Sequence, residues 1–215
     1  MRTYKRSHAQ TPTRKTNLPL SPPVSGLLVL TKTKRLMRLF TALDIPDALR
    51  DDLSGLQNDD ALDARWTDPD QFHVTLRFIG DASDEHAGRY EEGLAAVTAP
   101  PVQCVPYGLD VLPSRRSPRV LMLGLKRTDS MMVLYDAVSN ALEAEGLDPE
   151  DREYRPHVTI GRLDDANPEA VHVVLRRHGD RSFSSFEADR FVLYESTLTS
   201  DGAIHEPQAT YPLRN

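Results

Sequence analysis

His73-Val74-Thr75-Leu76 and His157-Val158-Thr159-Ile160 share one pattern: histidine, apolar residue, threonine, apolar residue, repeated 84 positions apart. Both blocks lie in sequence that reads as β-strand. Along a strand, residues i and i+2 point to the same face. Each block therefore projects an imidazole and a hydroxyl side by side and turns Val/Leu or Val/Ile to the opposite face. Two such blocks in one chain point to a duplicated half-site, with two histidines facing one substrate.

Paired histidines suit general acid–base chemistry. Imidazole is the side chain whose ordinary pKa lets it give or take a proton near neutrality. Cleaving a phosphodiester takes a base for the nucleophile and an acid for the leaving oxygen, each worth about 10²–10⁴ in rate. Thr75 and Thr159 would then donate hydrogen bonds to the non-bridging phosphoryl oxygens, where charge sits in the transition state. This scheme needs no metal and no cofactor. The chain contains no His-Glu-x-x-His sequence and a single cysteine, Cys104, so neither a zincin site nor a cysteine cluster is written in it.

The elements around the blocks alternate. Arg38–Ile45 reads as a strand, and Pro46 opens a helix to about Gln57. His73–Ile79 is a strand ended by Gly80-Asp81, Asp84–Val97 a helix, and Val102–Val111 an extended segment. Arg119–Lys126 is a strand, Asp129–Glu145 a helix stopped by Gly146, and His157–Arg162 a strand. Asn167-Pro168 opens a helix to about His178, and Phe186–Thr197 and Ala203–Leu213 close the chain as a strand pair. The order is a loose repeat, split in the loop Leu112–Pro118, and it predicts an α+β architecture with helices outside the sheets.

Charge divides the chain. Residues 1–36 hold eight Lys/Arg and no Asp/Glu, leaving 18 basic and 32 acidic residues in 37–215, a net of −14. Lys126 is the only lysine in that remainder. A lysine-poor acidic surface fits either solubility in concentrated salt or a GC-rich codon bias. Residues 1–36 read as a disordered basic extension. A start codon set too early, with Met37 the true start, is the favoured explanation over a nucleic-acid-binding arm or a transit peptide. One cysteine excludes an intrachain disulfide and fits a cytoplasmic location. No apolar run near the start is long enough to span a bilayer, so no membrane partner is expected, and the chain is expected to be a monomer.

The motifs and their surroundings resemble the two-histidine (2H) phosphoesterase superfamily. Within it they resemble the RNA 2′,3′-cyclic phosphodiesterases, also described as 2′–5′ RNA ligases. The likeness rests on an ordered set over about 37–215. It runs from Met37–Pro46, through Arg65-Trp66-Thr67-Asp68-Pro69 and Gln71–Gly80, to Pro113–Val120, Arg155–Arg162, Leu193–Thr197 and Tyr211-Pro212-Leu213. The resemblance implies a bilobal fold with pseudo-two-fold symmetry, two antiparallel sheets with outer helices, intertwined lobes and a cleft between them. It implies RNA ending in a 2′,3′-cyclic phosphate as partner and hydrolysis to a 2′-phosphomonoester. It also implies His73 as proton donor and His157 as proton acceptor. The family often has an aromatic where Val111-Leu112 stand and a tyrosine near His205. Those departures touch base preference rather than the phosphate chemistry.

Further assignments follow residue by residue. Arg77, at i+4 from His73, shares its strand face and is expected to bind phosphate beside Thr75 and Thr159. Arg162, at i+5 from His157, falls on the wrong face unless a bulge turns it into the cleft, as the resemblance implies. Arg115, Arg116 and Arg119 form a basic loop suited to RNA backbone contact. Phe72 and Trp66 read as core, and His86, His172, His178 and His205 as surface or packing residues. Related activities, 2′–5′ ligation or cleavage of small cyclic nucleotides, would use the same histidines, and an RNA-end-binding module without turnover is the rival outside enzymes.

Overall fold

The computed structural model describes residues 35–58, 62–163, 167–179, 181–200 and 202–214. The reading of 1–36 as a disordered extension falls almost wholly outside them. Strands β1 (Leu36–Asp44), β2 (Arg65–Trp66), β3 (His73–Ser83), β5 (Pro106–Ser114), β6 (Ser117–Leu125), β7 (His157–Arg162), β9 (Arg190–Thr199) and β10 (Gly202–Pro212) form one antiparallel sheet. Its order is β10-β9-β1-β3-β7-β6-β5, with β2 also paired to β7. Short strands β4 (Val102–Cys104) and β8 (Phe186–Ala188) make a second sheet. Helices α1 (Asp47–Ser54), α2 (Asp84–Ala95), α3 (Asp129–Ala144) and α4 (Pro168–Arg177) complete the α+β fold.

The main sheet is two four-stranded halves. β10-β9-β1-β3 forms one and β5-β6-β7-β2 the other, and they meet at the single Cα pair Val74↔Val158. The halves exchange strands. The C-terminal β9 and β10 pair with the N-terminal β1, while β2 leaves its neighbours in sequence to pair with β7.

Helix entries follow the sequence closely. Ser83, Thr128 and Asn167 cap α2, α3 and α4 by accepting from His86, Met131 and Glu169 N–H groups. Gly146 takes φ +97 just past α3, a stop that residues with a Cβ rarely supply. Several boundaries differ from expectation, among them that of Phe186–Thr197, which breaks at Asp189 into β8 and β9 of different sheets. The extended segment 102–111 breaks at Val105 into β4 and β5, which join different sheets. β3 runs past Gly80 to Ser83, because Gly80 at φ +81 keeps its place opposite Leu39.

Val74, Leu76, Val158 and Ile160 are buried on one face of the sheet, in one core with Met131, Leu134 and Val138 of α3 and Val171 of α4. Each such side chain contributes about 1.5–3 kcal/mol on burial. A one-residue slip of either motif strand would bring its two core residues to the other face, so core packing locks the register that sets the histidines.

Candidate active site

The register around Val74↔Val158 builds the site. Continued one residue each way, an antiparallel pair sets His73 opposite Thr159 and Thr75 opposite His157. The four side chains stand on one face, with the histidines at opposite corners, diagonal neighbours about 7–8 Å apart along the sheet. A pseudo-two-fold axis runs between the two valines. The square's four side chains all point away from the core formed by Val74, Leu76, Val158 and Ile160.

The two halves match in detail. His73 Nδ1 lies 2.7 Å from the Gln71 carbonyl oxygen, and His157 Nδ1 lies 2.6 Å from that of Arg155. A carbonyl oxygen only accepts, so each Nδ1 carries a proton and each neutral ring leaves Nε2 bare. His73 Nε2 is 3.1 Å from Thr75 Oγ1, whose hydroxyl donates to it. Both imidazoles are thus held in one tautomer by the residue two positions earlier, with Nε2 left free of the ring proton.

Both motif strands also bulge at the fourth motif residue. Thr41 pairs with Arg77 and Ala42 with Thr75, leaving Leu76 extra in β3. Leu121 pairs with Gly161 and Met122 with Thr159, leaving Ile160 extra in β7. Beyond each bulge the alternation inverts, and the burial sequences of His73–Phe78 and His157–Arg162 are identical. Arg162 therefore comes round to the histidine face, where it is exposed and makes no ion pair among the described residues.

The same bulge corrects the assignment of Arg77. Strict alternation puts it beside His73, but the extra Leu76 turns it to the core side. There it is 4% exposed, donates to the Asp148 carbonyl at 2.6 Å and lies 3.5 and 3.6 Å from Glu143 and Glu150. It ties β3 to α3 and the following loop rather than facing the cleft. At the equivalent Gly161, a Cβ would fall 2.8 Å from the Trp66 ring, so β2 packs where a side chain would stand.

The basic loop is the β5–β6 hairpin. Val120 pairs with Arg162, so the hairpin lies beyond the Arg162 end of β7. Arg115, Arg116 and Arg119 are exposed, with Arg115 bonded to Asp110 at 3.1 Å.

Several groups at the site were not assigned to it from the sequence. Phe40 of β1 stacks on Tyr194 of β9, with centroids 5.4 Å apart, and its ring lies 4.9 Å from that of His73. Tyr194 donates to Asp44, the register partner of His73. His205 of β10 stands edge-on to His73 at 5.2 Å, so this packing histidine packs on the catalytic candidate itself. The Gln71 side chain accepts from the His205 backbone N–H at 2.8 Å while its own carbonyl holds His73. A cavity of about 200 Å³ opens here, lined by Arg50, Asp70, Gln71, His73, Tyr194 and His205. These groups come from four separate strands, one turn and helix α1, and only the folded chain gathers them.

Electrostatics separates the two histidines. Burial pushes His73 down to about 4, against a partial offset from the Gln71 carbonyl, with the charges of His205 and His157 adding to the depression. Burial also lowers His157, the Arg155 carbonyl opposing it and the Arg155 charge reinforcing it. Among the described residues no group of three or more His, Cys, Asp or Glu side chains is placed to hold a metal ion. No helix among them is long and apolar enough to cross a membrane.

Comparison with known proteins shows the family and the fold. A family model for the 2′-5′ RNA ligase superfamily matches residues 44–199. The chain is 33% identical over 177 residues to the RNA 2′,3′-cyclic phosphodiesterase of Archaeoglobus fulgidus, covering 79% of this chain and 97% of that protein. The enzyme of the same name from Thermotoga maritima is 29% identical over 177 residues, with 79% and 92% covered. Among solved structures, Escherichia coli LigT complexed with 3′-AMP superposes with a TM-score of 0.65 at 21% identity, covering 84% of this chain and all of that one. The Thermus thermophilus protein TT0787 gives 0.68 at 21% identity, with 83% and 98% covered. These two likenesses establish the fold.

Proposed function

This chain belongs to the 2′-5′ RNA ligase superfamily, and from that premise we propose that it hydrolyses RNA ends bearing a 2′,3′-cyclic phosphate to 2′-phosphomonoesters. The observation that carries the reading is the square of His73, Thr75, His157 and Thr159, with each Nδ1 anchored and each Nε2 presented.

In the proposed reaction His157 Nε2 takes a proton from water as the water oxygen bonds to phosphorus. The P–O3′ bond breaks, and His73 Nε2 delivers its proton to O3′. The phosphate stays on O2′. Thr75 and Thr159 donate to the non-bridging oxygens, and Arg162 faces the same charge from the end of β7. A phosphodiester anion between the rings favours the imidazolium form of His73, offsetting the burial that disfavours it. The square supplies acid, base and oxyanion donors from protein groups, so the reaction is proposed to run without a metal.

The test is the purified protein with an oligoribonucleotide ending in a 2′,3′-cyclic phosphate, in EDTA and with added Zn²⁺ or Mg²⁺. A 2′-phosphate product formed equally in both supports the reading. A 3′-phosphate product, or activity that needs the metal, overturns it.

A further inference from the structure

The motif strands β3 and β7 share one ladder pair, Val74↔Val158, and the chain ahead of β7 adds a second link between them. Tyr154, three residues before His157, donates its hydroxyl to the Thr75 carbonyl oxygen at 3.1 Å. Met131 Sδ lies 3.6 Å from the same hydroxyl and is the weaker acceptor. The Tyr154 ring is stacked on Tyr135 of α3, with centroids 4.1 Å apart and planes 10° from parallel. Burial pushes the phenol well above its ordinary pKa, so the group stays a hydrogen-bond donor.

Thr75 stands opposite His157, so this bond ties the segment that leads into β7 to the residue facing the candidate base. The next residue, Arg155, anchors His157 Nδ1 through its carbonyl at 2.6 Å. That carbonyl has no regular element to hold it. Residues 145–156 lie in no helix or strand, and Pro156, lacking an N–H, cannot donate to a neighbouring strand. On its other flank His157 pairs with Gly124 of β6, which supplies no side chain of its own; the Tyr107 ring lies over that glycine. The His73 half is built differently. The counterpart of Tyr154 there is Asp70, an exposed carboxylate, and it is the Gln71 side chain that ties the anchoring residue to the His205 backbone.

We propose that Tyr154 is a positioning residue for the proposed reaction: its hydroxyl fixes the Arg155 carbonyl against Thr75, and through that carbonyl holds His157 in the form protonated on Nδ1. The inference rests on the proposed RNA-end activity and adds a group that acts through the base. Without the hydroxyl, the segment before β7 keeps its stacked ring but loses its tie to β3. The Arg155 carbonyl then shifts, and His157 samples the tautomer whose Nε2 already carries the proton and cannot take another from water.

Tyr154→Phe removes one oxygen and keeps the ring stack. Its kcat on an oligoribonucleotide ending in a 2′,3′-cyclic phosphate is expected to fall about tenfold, the scale of one buried hydrogen bond, with KM unchanged. Long-range ¹H–¹⁵N NMR of the imidazoles, above neutral pH where both rings are uncharged, reads the tautomers without turnover. His157 Nδ1 is expected to move part-way from the protonated to the bare nitrogen position, while His73, anchored by Gln71, keeps its shifts. Tyr135→Phe, which retains the stack, is expected to match the wild type in both measurements. An unchanged His157 tautomer in Tyr154→Phe overturns the brace, whatever the loss of thermal stability, and leaves Tyr154 as packing on α3. Equal movement of both histidines, the mark of a general loosening, overturns it too, as does an unchanged kcat. If the wild type cleaves no cyclic phosphate, the proposed activity fails and the NMR comparison alone decides the brace.

Discussion

Lowering the pH from 7.5 to 4 should destabilise this protein through His73, by an amount the structure sets. In the unfolded chain His73 titrates near 6.5, whereas burial in the fold brings it down to about 4. Between those values the unfolded chain binds a proton that the folded one refuses, so folding stability falls as pH falls. Above 6.5 both states are neutral and nothing is lost. Below about 4 both are protonated and the loss is complete, at about 3 kcal/mol. His157 and His205 are also lowered by burial and act in the same direction, so the total acid sensitivity exceeds the His73 part. The difference between wild type and His73→Gln isolates that part. Urea unfolding at closely spaced pH values measures it, and NMR titration of the His73 ring gives the folded-state value directly. Wild type and His73→Gln curves that fall in parallel from pH 6.5 to 4, or a His73 ring titrating near 6.5 in the fold, would refute the burial argument.

His73→Ala and His157→Ala should each lose at least ~10²-fold in kcat while staying folded, and the double variant should lose far less than the product of the two; near-normal turnover by either single variant removes it from the mechanism. The pH profile of kcat/KM should be a bell with both limbs below 6.5, since both rings are lowered in the free protein; an optimum above neutrality contradicts it. Thr75→Val and Thr159→Val should reduce kcat by roughly 10–10³-fold, because the hydroxyl bonds strengthen as phosphoryl charge develops. A change in KM alone would assign them to ground-state binding. Arg77→Met should cost about 1–3 kcal/mol of stability, less than a fully buried pair because Glu143 and Glu150 are each about one-third exposed, and leave KM unchanged; a raised KM in a fully stable variant would return Arg77 to the phosphate.

The sequence by itself determined the features that depend on neighbours along the chain. Strand alternation placed His73 with Thr75 and His157 with Thr159, and β7 spans His157–Arg162 as the pattern reads. The helices start at Asp84, Asp129 and Pro168 under the local caps Ser83, Thr128 and Asn167, because a cap needs only a side chain within three residues of the N–H it satisfies. The tertiary structure decided what depends on which strand lies alongside. The extra residues Leu76 and Ile160 exist only relative to Thr41–Ala42 and Leu121–Met122, so no single strand announces them. Those bulges sent Arg77 into the core and brought Arg162 to the histidines, reversing what alternation gives for each. Likewise Phe40, Tyr194 and His205 reach His73, and Tyr107 reaches the flank of His157, through pairings between distant segments. Periodicity is a local property of the backbone. Register is settled by burying one face of every strand at once, and that choice fixed the neighbours of the two histidines.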